Sequence, residues 1–100
     1  MNNQDPSVEY FYYKTKMKIV CFSSRKDAKY VLKWIKNIFK RYGLVYLSDY
    51  YDICCLDFNK EDNSYGWDSL KGAKVKRNLT GYFIDFRDPI YIPPHISMLD

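Results

Sequence analysis

Histidine is nearly missing from this chain of 100 residues, which has only His95. A general base needs a positioned partner and an orienting group, and His95 lies in a tail expected to be loosely held. Cysteine is scarce too: Cys21, Cys54 and Cys55, an odd number with no CxxC pair. With one histidine, a four-ligand zinc site would need a carboxylate as well. The thiols are expected reduced, with Cys21 and one of the adjacent pair acting as small buried hydrophobes. Four glycines and four prolines exclude collagen-like and low-complexity linker sequence. No repeat at a period of about 20 to 50 residues appears. There is no apolar run long enough for a membrane span. No GxSxG, P-loop or GxGxxG motif is present. Met1 to Pro6 lacks the basic-then-apolar order of a signal peptide. The expectation is a cytoplasmic, non-enzymatic protein with no metal and no cofactor.

Aromatic residues are plentiful. Eleven Tyr, six Phe and two Trp make up 19% of the chain. Most are expected to fill strands and a core with little volume to spare.

The formal charge of +4 is the remainder of segregated blocks. Residues 14–41 carry ten Lys/Arg against one Asp, or +9, and residues 49–70 carry six acids against one Lys, or −5. Residues 71–77 add four cations and no acid. Such segregation bears on partners and steering rather than on fold.

The pattern predicts α+β architecture: an antiparallel sheet, one long amphipathic helix, a shorter second helix and a C-terminal β-hairpin, with a winged-helix-like order as one option. Residues 1–7 read as a disordered lead, 8–94 as one domain and 95–100 as a tail. Strands are expected at Val8–Tyr13, after a turn at 14–16 at Met17–Phe22, and in short form at Leu44–Tyr46. Ser24, three residues before Asp27, marks the start of a helix over Arg25–Tyr42. Ala28, Val31, Leu32, Ile35, Ile38, Phe39 and Tyr42 recur at helical spacing over an arc of about 120°. Gly43 ends it, with Lys40 and Arg41 at the negative end of the dipole. Ser48 is expected to cap a second helix over Asp49–Leu56, with Tyr51, Cys54 and Cys55 inward. A polar loop over 57–66 and a turn over 67–70 follow. Lys74–Asn78 and Tyr82–Phe86 read as a hairpin turning at Thr80-Gly81, and Ile90–Ile92 as a last extended piece.

Two acidic constellations partly match metal-site patterns. Asp57, Asn59, Glu61 and Asp68 resemble part of a calcium loop, but its sixth position needs Gly and has Asp62. Asp49, Asp52, Asp57 and Asp68 fall on a helix and a loop, not on the strands a two-metal nuclease site favours.

The strongest functional signal is a basic stripe. Lys26, Lys29, Lys33, Lys36 and Lys40 fall within about 80° of the first helix, bordered by Tyr30 and Trp34. Lys71, Lys74, Lys76 and Arg77 form a second cluster on the hairpin. Lysines with aromatics beside them are the footprint of a surface for the phosphate backbone of DNA or RNA, free or in a ribonucleoprotein complex. The competing reading is a solvated, solubilising helix face.

The residues from Lys40 onward carry a resemblance. Tyr42-Gly43, Leu47-Ser48-Asp49-Tyr50-Tyr51-Asp52, Tyr65-Gly66-Trp67-Asp68-Ser69-Leu70, Gly81-Tyr82 and Pro89, with Ser24-Arg25-x-x-Ala28 upstream, resemble a pattern in small phage and prophage accessory proteins. It covers about residues 22–94 and contains no catalytic residue. The resemblance implies a phage-type binding protein in a bacterial host cell that blocks a host component, with an anti-CRISPR-like inhibitor of a defence nuclease complex as the specific form. Members of that group tend to be acidic along the first helix. The basic face here departs from them and implies a partner peculiar to this chain.

Overall fold

The computed structural model describes residues 17, 18 and 20–93. The expected lead, the strand at Val8–Tyr13, the turn at 14–16, the tail and His95 lie outside the described residues.

The architecture is α+β, with two helices and antiparallel sheets. Helix α1 spans Arg25–Tyr42. Ser24 Oγ accepts from the Asp27 N–H at 3.1 Å and so satisfies a donor that the first turn leaves free. Gly43, at φ 78°, closes the other end, its N–H donating to the Phe39 carbonyl at 2.7 Å. Ala28, Val31, Leu32 and Ile35 are buried, as the periodicity requires. Tyr42 is exposed and leaves the apolar arc at the last turn.

Strand β1 (Val45–Tyr46) leads directly into helix α2 (Leu47–Ile53). This helix begins and ends earlier than the sequence pattern suggests. Asp49, not Ser48, makes the cap, its carboxylate accepting from the Tyr46 N–H at 3.0 Å. Ser48 is buried within the first turn. Cys55 adopts a left-handed conformation at φ 60°, and the Leu56 N–H turns back to the Tyr51 carbonyl at 2.8 Å, so the helix cannot reach Leu56. The inward face is Leu47, Tyr50 and Tyr51, while Cys54 is half-buried and Cys55 exposed.

A 3₁₀ turn over Lys60–Asn63 interrupts the expected polar loop. Asn59 and Asp62 exchange side-chain and backbone hydrogen bonds at 2.9 and 3.2 Å. Asp62 is thereby committed to a turn. Strand β2 (Tyr65–Trp67) follows where a loop and turn were expected, then β3 (Lys74–Asn78), β4 (Gly81–Asp85) and β5 (Ile90–Tyr91).

There are two small sheets rather than one. β2 lies between β1 and β5, and β3 pairs with β4, all antiparallel. Gly66 is required at the centre of the first sheet, because a Cβ there would collide with the Val45 carbonyl and the Tyr46 backbone. The hairpin turns at Leu79-Thr80, one residue before the expected position, because Asn78 Oδ1 accepts from both the Thr80 and Gly81 N–H groups at 3.0 and 2.9 Å.

The expected strand at Met17–Phe22 reduces, among its described residues, to one bridge between Phe22 and Tyr82. The Lys18 N–H is drawn instead to the Tyr51 hydroxyl at 2.7 Å. Cys21 is exposed rather than buried, its Sγ 3.4 Å from Thr80 Oγ1. Between 57 and 70 the described residues hold no α-helix, so a winged-helix arrangement has no recognition helix there.

Helix α1 packs across β3, β4, β1 and α2. At the far end of the core Trp67 stacks on Phe86 with centroids 4.3 Å apart, and Tyr50 meets Phe86 edge-on at 5.1 Å. The buried Trp67 indole donates to the Arg87 carbonyl at 2.7 Å, which meets its one polar requirement. Most of the buried aromatic volume therefore holds the fold.

Candidate functional site

Packing α1 against the hairpin forms a groove of about 600 Å³ lined by Arg25, Lys29, Leu32, Lys33, Lys36, Asn37, Ala73, Lys74 and Val75. The helical spacing explains why these residues meet. At 100° per residue, Arg25, Lys36, Lys29 and Lys33 follow one another within about 80°, directly beside Leu32 on the buried arc. Leu32, Ala73 and Val75 supply an apolar floor, and five cations with one amide supply the walls. Among the described residues, no carboxylate lines it. Residues three and four apart on a helix face have Cβ atoms about 5–6 Å apart, within the roughly 8 Å screening length at physiological salt, so the fields of their charges add. Such a groove can hold a chain of anionic groups over an apolar floor.

The expected site residues fall in several places. Lys29, Lys33, Lys36 and Lys74 line the groove and join the two basic clusters that the sequence separates by 38 residues, from Lys36 to Lys74. Lys26 is exposed at the outer edge of the stripe, and Lys71 is exposed in the turn before β3, its N–H donating to Ser69 Oγ at 3.2 Å. Lys76 and Arg77 are otherwise engaged. Lys76 Nζ is 2.6 Å from Asp85 Oδ2, and the Arg77 guanidinium lies 5.9 Å from the Tyr82 ring centre. Lys40 belongs to a second hollow of about 430 Å³, together with Trp34, Asn37, Ile38, Arg41 and Tyr42. Asn37 lines both hollows, so they adjoin.

Tyr30 is 61% exposed and Trp34 46% exposed. Their rings meet edge-on with centroids 6.4 Å apart. At this exposure Trp34 lies outside the buried core.

Sequence reasoning missed Arg25 as a site residue. Its position four before Lys29 places it on the same stripe, and that spacing was the available signal. It lies 5.1 Å from the Tyr82 ring centre, so Tyr82 sits close to two guanidinium groups. The role of Asn37 depends on the hairpin's placement, which no local pattern encodes.

Among the described residues, no group of three His, Cys, Asp or Glu stands together as a metal site. The acids of 49–70 are on α2, the 3₁₀ turn and the adjoining segments, none of which lines the groove. Among the described residues, no helix is long and apolar enough to cross a membrane. No family model, curated protein or solved structure matches the chain.

Proposed function

We propose that the chain is a non-enzymatic, phage-type binding protein that blocks a host component, and that the groove between α1 and β3 is where it meets its target. The observation that carries this reading is the convergence of Arg25, Lys29, Lys33, Lys36 and Lys74 on one groove without a lining acid. Surface solubilisation alone favours interspersed signs and does not call for such a single-sign field. A host-defence nuclease complex presents the matching chemistry as an acidic protein patch. Occupying it would make the chain an anti-CRISPR-like inhibitor acting in the bacterial cytoplasm.

Direct binding of nucleic acid is the second reading, favoured by the exposed Tyr30 and Trp34 beside the lysines. Affinity capture from host lysate, run with and without nuclease treatment, separates the two. The first reading predicts a discrete host protein retained after nuclease digestion. Retention only of undigested nucleic acid favours the second, and retention of neither contradicts both.

A further inference from the structure

The groove supplies cations, and the adjoining helix face supplies rings. Lys29, Lys33 and Lys36 lie on average about 110° around α1 from the midpoint of Tyr30 and Trp34, which is about 10–12 Å along the surface of a helix 10–12 Å across. Asn37 lies between the two stripes and lines both hollows. Past it, Lys40 and Arg41 share the second hollow with Trp34 and Tyr42. The result is a track along α1 with Lys29, Lys33 and Lys36 on one side and Tyr30 and Trp34, four residues apart, on the other. Both rings are exposed.

We infer that this track binds single-stranded nucleic acid, with phosphates along the lysine groove and bases stacked on Trp34 and Tyr30. The inference deepens the second reading above and rests on it. Single-strand sites pair a positive groove that follows the backbone with aromatic faces for the bases, and both are present here on one helix. A duplex fits less well for two reasons. Its base faces are already stacked and cannot use the rings. Its major groove, about 12 Å wide, is filled by one helix, whereas α1 has the β3–β4 hairpin packed along its lysine side. The acids near the track do not cancel it. Asp27, the one acid on α1, lies in the first turn, and Asp85 is already bound to Lys76.

The shared ligand chemistry is a phosphate backbone with unstacked bases, and DNA and RNA both offer it. The test is fluorescence anisotropy with labelled single-stranded DNA, single-stranded RNA and duplex DNA of about 12 nucleotides, within the range that one small domain covers, from about 50 to 200 mM salt. Either single strand is expected to bind at least about tenfold tighter than the duplex, and the stronger of the two identifies the source. Stacking of about 1–3 kcal/mol per base predicts that Trp34→Ala weakens binding about 5- to 150-fold with little change in salt slope. Lys33→Gln is expected to reduce that slope by about 0.7. Quenching of Trp34 fluorescence on binding is the direct signature. A circular-dichroism melt of each variant confirms that it is folded, and Trp34→Phe, which retains a ring, is expected to restore most of the affinity.

Equal or tighter duplex binding overturns the inference. So does unchanged affinity in Trp34→Ala, or no oligonucleotide binding at about 50 mM salt. If oligonucleotides fail while a nuclease-resistant host protein is captured through the same lysines, the single-strand inference falls and the groove reading stands. If neither binds, both fall.

Discussion

The Cys54 thiol shows how a single residue responds to its place in the fold. Burial, with Cys55 adjacent as a second cause, pushes its pKa from 9.0 up to about 11. The neutral form is the one the folded state favours. Any stability this contributes is full below pH 9 and is lost as pH rises from 9 to 11. Burial likewise raises the Tyr50 hydroxyl, with the same sign at higher pH. The melting temperature is therefore expected to fall over pH 9–11, and to fall less steeply in Cys54→Ala. An equal fall in both proteins would remove Cys54 from the account. Alkylation at pH 8 is expected to label Cys54 last, because little of it is thiolate there. The sequence classed the cysteines by their average tendency to be buried. That misplaced Cys21, whose position is set by a distant contact with Thr80.

At the scale of the element, α1 was the part most fully legible from sequence. Its cap, its apolar arc and its terminal glycine are all local signals, and each appears in the structure. α2 and β2 were less legible, since the helix is set by the burial of Leu47 and the Asp49 cap, and the strand by partners at Val45 and Ile90. The basic stripe carries a physical cost within α1. Lys33 has like charges at both neighbouring positions on its face, Lys29 and Lys36, and each such pair destabilises a helix by about 0.2–0.5 kcal/mol. Lys33→Glu turns both repulsions into attractions. It is expected to stabilise the fold by roughly 0.8–2 kcal/mol, raising the melting temperature by several degrees, while weakening binding. Gain of stability with loss of binding is the signature of residues held for function. A lower melting temperature for Lys33→Glu would contradict this view of the stripe.

At the scale of the molecule, the sequence showed two basic blocks but not that they meet. The hairpin's placement against α1 brings Lys74 to the lysines of the helix and leaves Lys76 to Asp85. That selection depends on long-range packing, and it narrows eleven expected site residues to a groove with a chemical character. The central claim is that this groove is the contact surface. Its most direct test compares wild type with Lys29→Glu/Lys33→Glu/Lys36→Glu in capture of the host target, with a thermal melt confirming that the variant is folded. The account predicts a folded variant that retains none of the target held by wild type. A folded variant that captures the target as well as wild type would contradict it.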